Sequence, residues 1–85
     1  MSSSREVSFE NREKYLELGL NIAFYRKRCG LTQEALAERV GISRSHLSAI
    51  EAPNLLRPFS LELLFELADA LHISPSKLLE FRECR

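Results

Sequence analysis

The 85-residue sequence is poor in the features that mark several large functional classes. No apolar run approaches the roughly twenty residues that a membrane-spanning helix needs. The opening segment, MSSSREVSFENRE, has no apolar centre of the kind a secretory signal carries, so a cytoplasmic protein with no membrane partner is expected. The two cysteines, Cys29 and Cys84, stand far apart, without the paired spacing of a zinc site or the density of a disulfide scaffold, and are expected to be free thiols. There is no glycine-rich phosphate loop. His46 and His72 fall in different predicted elements, with no acid or cysteine forming a constellation with either, so no catalysis, metal or cofactor is expected. Twelve basic and twelve acidic residues leave no net charge, which argues against a generic polyanion binder.

What is present is an ordinary folding composition, 45% hydrophobic and 28% charged, in a chain long enough for one domain and one core. Nothing in it leaves room for a large enclosed active site. The charge is unevenly spread. Residues 26–50 hold Arg26, Lys27, Arg28, Arg39 and Arg44 against Glu34 and Glu38, whereas acids outnumber bases on both sides. Local field steers a polyanion more than total charge does, so a neutral chain can still carry a basic face.

Tyr15, Leu18, Ile22 and Tyr25 recur at the period of one helical face, predicting a first helix that runs to about Cys29. Gly30 is suited to end it, and Arg26, Lys27 and Arg28 lie at the negative end of its dipole. Thr32 is a cap for a second helix over about Gln33–Arg39, with Glu34 in its first turn. Gly41 breaks that pattern. Ser43 caps a third helix over about Arg44–Glu51, which must end by Ala52 because Pro53 disfavours helical geometry in the residue before it. After the loop PNLLRPF, Ser60 caps a fourth helix whose predicted buried stripe is Leu61, Leu64, Leu67, Ala68 and Leu71. Ser74 and Pro75 open a short fifth helix through Leu78, Leu79 and Phe81. No strand-like alternation, repeat or low-complexity segment occurs, so a compact all-α, five-helix domain covering residues 1–85 is expected, with residues 1–10 as an extension.

The second and third helices are joined by only a few residues around Gly41 and must cross steeply. Leu36, Val40, Ile42, Leu47 and Ile50 supply inward apolar positions, Ala37 is small where the helices approach, and Gly41 permits the turn. This segment, TQEALAERVGISRSHLSAIE, resembles the helix-turn-helix of the phage-repressor and Cro-like family, also called XRE-type. The resemblance extends through LGLNIAFYRKRCGLTQ, SLELLFELADAL and ISPSKLLEF, about four-fifths of the chain.

The resemblance implies that the third helix lies in the major groove of double-stranded DNA with its first residues at the base edges. Arg44, Ser45 and Ala49 then become base contacts. A guanidinium can form two hydrogen bonds with guanine, serine is permissive, and alanine reaches at most a thymine methyl. His46, on the neighbouring flank, is either a solvent-facing residue or a base or phosphate contact. Gln33 takes the family's phosphate-clamp position, with Ser43 and Ser48 as helpers. Arg26 and Glu51 match a partly buried structural ion pair.

Some positions depart from the family pattern. After Glu51, Ala52 and Pro53 replace the frequent Asn-Gly, and Leu55, Leu56 and Phe59 stand where charge is usual. Only Arg57 and Asn54 remain there as phosphate contacts, implying weaker and less salt-sensitive binding. The loop is expected to fold back, with Leu63 packing on Leu55 or Leu56, rather than to form a partner patch. His72 replaces the usual glycine after the fourth helix, and the extension bearing Val7 and Phe9 is expected to cover Phe24. The function implied is a sequence-specific transcriptional regulator acting as a homodimer on a palindromic operator, with Leu78, Leu79 and Phe81 as the pairing surface and no small-molecule ligand. The alternative is a protein-interaction module, such as an antitoxin-like adaptor, on the same fold.

Overall fold

The computed structural model describes residues 7–52 and 58–81; Asn54, Leu55, Leu56, Arg57 and Cys84 lie outside the described residues. A short 3-10 turn, Phe9–Asn11, leads into α1 (Arg12–Arg28), followed by α2 (Gln33–Val40), α3 (Arg44–Glu51), α4 (Leu61–Ala70) and α5 (Pro75–Leu78). No strand occurs among the described residues.

Four of these starts are capped by a hydroxyl. Thr32 accepts from the Ala35 amide at 3.0 Å, Ser43 from His46 at 3.0 Å, Ser60 from Leu63 at 3.1 Å and Ser74 from Ser76 at 3.3 Å. Each bond satisfies an amide that has no partner inside its own helix.

Three helix ends share one device. After α1, Leu31 donates to the Arg26 carbonyl; after α2, Ile42 donates to Ala37; after α4, Ile73 donates to Ala68, each at 3.0 Å. In every case the residue before the donor is left-handed: Gly30 at φ 73°, Gly41 at 75° and His72 at 60°. These are Schellman closures, and the apolar residue after each one packs against the core. Histidine takes the left-handed region at the third of them because its short polar side chain tolerates it better than most. These three helix ends are thus closed by backbone hydrogen bonds.

The core draws on every helix, with Ile22, Leu36, Leu47, Leu67, Leu71 and Leu78 fully buried. Two sequence expectations are corrected here. Leu61 does not belong to the buried stripe: it is 66% exposed, and Leu63 takes its place beside Leu64, Leu67, Ala68 and Leu71. Leu61 is the first residue of α4 and stands on the flank of that stripe, where it lines an open groove with Tyr15, Leu64, Leu79 and Phe81. Phe24 is not covered by Phe9, since both are exposed. Phe9 precedes α1 while Phe24 lies near its far end, about 20 Å away along the helix rise. Phe9 instead meets the Arg12 guanidinium, and Phe24 stands edge-on to Tyr25.

Two α1 residues set where their neighbours sit. The Asn21 side-chain amide donates to the carbonyls of Leu78 at 3.0 Å and Glu80 at 3.1 Å, tying the end of α5 to the middle of α1. Gly19 lies against the end of α3, where a Cβ would strike the Ile50 carbonyl oxygen. At an exposed helix position alanine for glycine is stabilising by about 1 kcal/mol. Here the sign reverses, because the obstacle is backbone and cannot swing aside. Gly19→Ala is expected to lower stability by about 1–3 kcal/mol, read as a lower urea midpoint at unchanged slope; a raised midpoint would show that α1 and α3 do not need this approach.

Candidate nucleic-acid interface

In α3, Leu47 is fully buried and Ile50 packs against the core, so the helix is pinned by its middle and its last turn. Its first turn is left outside. Arg44, Ser45 and His46 are all exposed, and the Ser43 hydroxyl that caps the helix lies 3.3 Å from the hydroxyl of Ser45. Ser48 and Ala49 are half-buried, Ala49 one turn beyond Ser45 on the same side. Arg44 is exposed and makes no hydrogen bond or ion pair with another described residue.

The other end of α3 is anchored by charge. Glu51 receives Arg26 Nε on Oε2 at 2.8 Å and Arg26 Nη2 on Oε1 at 3.0 Å, a two-pronged pair in which both side chains are almost wholly buried. Arg26 Nη1 also donates to the Leu31 carbonyl at 2.8 Å. Glu51 Oε1 accepts a third bond, from Gln33 Nε2 at 2.9 Å. No buried side-chain polar atom is left without a partner among the described residues, which is the condition under which a buried ion pair holds rather than disrupts. The carboxylate therefore ties the last turn of α1, the first residue of α2 and the last residue of α3, and its guanidinium partner adds the turn after α1.

This placement changes how Gln33 is understood. From the sequence its amide was free to clamp a phosphate; in the structure one amide hydrogen is engaged by Glu51, because the carboxylate has a lone pair beyond those used by Arg26. The second hydrogen remains. Leu78 also departs from its expected place: it is fully buried in its own chain, leaving exposed Leu79 and half-buried Phe81 on the surface. With Leu61, Phe59 and Tyr15 these two line an apolar groove of about 300 Å³. The links through Asn21, Gly19 and Gln33 were not legible as motifs. An asparagine and a glycine in the middle of a helix are both poor helix formers, and that was the available signal.

A family model described as helix-turn-helix matches residues 22–78, which contain α2, α3, α4 and α5. The chain belongs to the XRE-type helix-turn-helix family of DNA-binding regulators. Among solved structures, the chain resembles the restriction-modification controller protein C.AhdI from Aeromonas hydrophila, with 33% identity over 78% of this chain and 97% of that one and a TM-score of 0.71. It is similar to the clp gene regulator ClgR from Corynebacterium glutamicum, with 31% identity, 76% and 67% coverage and a TM-score of 0.71. It is also similar to SinR, the biofilm master regulator of Bacillus subtilis, in complex with DNA, with 36% identity, 74% and 98% coverage and a TM-score of 0.68. No curated protein sequence matches the chain. No helix among the described residues is long and apolar enough to cross a membrane.

In this helix-turn-helix the ion pair sets the pose of the motif, and a stability experiment isolates it. Arg26→Ala and Glu51→Ala are each expected to cost about 3–5 kcal/mol, since either one strands a buried charge. Arg26→Met combined with Glu51→Leu is expected to cost much less than either. Urea unfolding of all three variants checks this; a double variant as unstable as the sum of the singles contradicts it.

Proposed function

We propose that the chain is a sequence-specific DNA-binding transcriptional regulator that binds a palindromic operator as a homodimer. The observation that carries this reading is the exposed first turn of α3, with Arg44 presented beside Ser45 and His46 on a helix pinned by Leu47. A major groove admits such a helix, and a bidentate arginine discriminates guanine by about 1–3 kcal/mol. Ser43, Gln33 through its remaining amide hydrogen, and Ser48 take phosphate oxygens; Asn54 and Arg57 add contacts from the following loop. Ala49 reaches the next base. His46, in the same turn, adds a base or phosphate contact.

One recognition helix reads too few base pairs to select an operator. Pairing across a two-fold axis places two such helices in successive major grooves, about 10 base pairs apart. Leu79 and Phe81, flanked by exposed Leu61, supply the apolar surface for that pairing. Such a regulator acts in the cytoplasm by occupancy, without catalysis.

Selection of duplexes from a random pool is expected to enrich a palindrome with half-sites about 10 base pairs apart and a guanine in each. On that duplex, Arg44→Ala is expected to weaken binding about tenfold or more and to relax the preference at the guanine, measured by fluorescence anisotropy. Undiminished affinity in the variant, or no enriched sequence, contradicts the reading. Leu79→Asp is expected to shift the protein toward monomer in sedimentation experiments and to steepen the concentration dependence of operator binding; an unchanged mass places the pairing surface elsewhere.

A further inference from the structure

The outward side of α1 carries an apolar pair that the rest of the described fold does not use. Leu20 is 58% exposed and Phe24 is 56% exposed, one helical turn apart. Phe24 does not swing freely, since its ring stands edge-on to Tyr25 with centroids 5.0 Å apart. Glu17 lies three residues before this pair and Lys27 three residues after it. Neither makes an ion pair among the described residues.

The order Glu17, Leu20, Phe24, Lys27 has spacings of three, four and three, the alternation that keeps a seam on one side of a helix. Those spacings are the same read from either end. Reversal exchanges leucine with phenylalanine and acid with base. A second copy of the same helix laid antiparallel therefore meets the first with Leu20 against Phe24 and Glu17 against Lys27, twice over, about a two-fold axis. We propose that the outward face of α1 is a self-pairing surface whose partner is α1 of a second copy of this chain, in antiparallel orientation. It lies across the helix from the groove, which is lined by Lys14, Tyr15 and Leu18 of α1, so it is separate from the Leu79 surface and does not rest on the reading as a DNA-binding regulator.

With four side chains from each copy, the contact buries less than the about 1,000 Å² of a stable isolated dimer. The pairing is weak in free solution. It becomes effective between copies held close to one another, where effective concentration replaces affinity.

Charge reversal tests it without disturbing the core. Glu17→Lys and Lys27→Glu each place like charges opposite one another at two symmetric positions, and each is expected to weaken the concentration-dependent self-association roughly tenfold. Mixed in equal amounts, the two variants present opposite charges again, and the mean mass in sedimentation equilibrium is expected to rise above that of either variant alone. Running the same series with Leu79→Asp removes the other surface from the readout, and unfolding midpoints verify that all variants stay folded. A protein carrying Leu79→Asp alone whose mass does not rise with concentration even at the highest concentrations reached, or a mixture that matches the separate variants, overturns the proposal.

Discussion

The pose of the helix-turn-helix depends on a single buried carboxylate. Glu51 closes α3 and accepts two bonds from Arg26 at the end of α1 and one from Gln33 at the start of α2. A hydrophobic contact holds surfaces together but leaves their rotation loosely set; a bidentate guanidinium pair sets direction as well as distance. Dehydrating two charges is costly, and this site recovers the cost by using Arg26 Nη1 on Leu31 and the spare carboxylate lone pair on Gln33. The ends of three elements are thereby fixed within one hydrogen-bonded cluster.

Because α3 is fixed at its last residue and buried at Leu47, its first turn has only one place to go, outward. The Ser43 cap satisfies the His46 amide and also meets the Ser45 hydroxyl, while the side chains of Arg44, Ser45 and His46 remain exposed. Gly19 lets α1 and the last turn of α3 come together, and Asn21 brings the end of α5 onto the same α1. Two of the exposed apolar faces, the groove near Leu79 and the seam at Leu20 and Phe24, lie on different sides of α1. The exposed polar turn at Arg44, Ser45 and His46 thus lies on a different element from these apolar surfaces.

Much of this was legible because local chemistry and tertiary packing agree. Thr32, Ser43, Ser60 and Ser74 mark the starts of α2 to α5, and Gly30 and Gly41 mark the ends of α1 and α2, since a cap or a left-handed residue acts through atoms only a few positions away; the stop at His72 is implied only by the resemblance. The pattern from Gln33 to Glu51 exposed the helix-turn-helix for the same reason. What escaped the sequence depends on partners distant along the chain. Leu61 and Leu63 are both compatible with a helical stripe, and only the packing of the other helices on α4 decides which is covered. The resemblance implies a phosphate contact for the Gln33 amide, but that Glu51, eighteen positions on, also accepts from it depends on the fold. Leu78 and Leu79 are adjacent and chemically alike, yet one fills the core and the other faces out, a choice made by the rotation of a helix only four residues long.

The proposed function requires the first turn of α3 to be the part of the protein that meets DNA, and amide chemical shifts during titration with the selected duplex test this. The largest changes are expected at Arg44, Ser45 and His46 and at the start of α2, with the core amides around Leu67 and Leu71 nearly still. Changes concentrated on another face, with the α3 first turn unmoved at saturation, would contradict it.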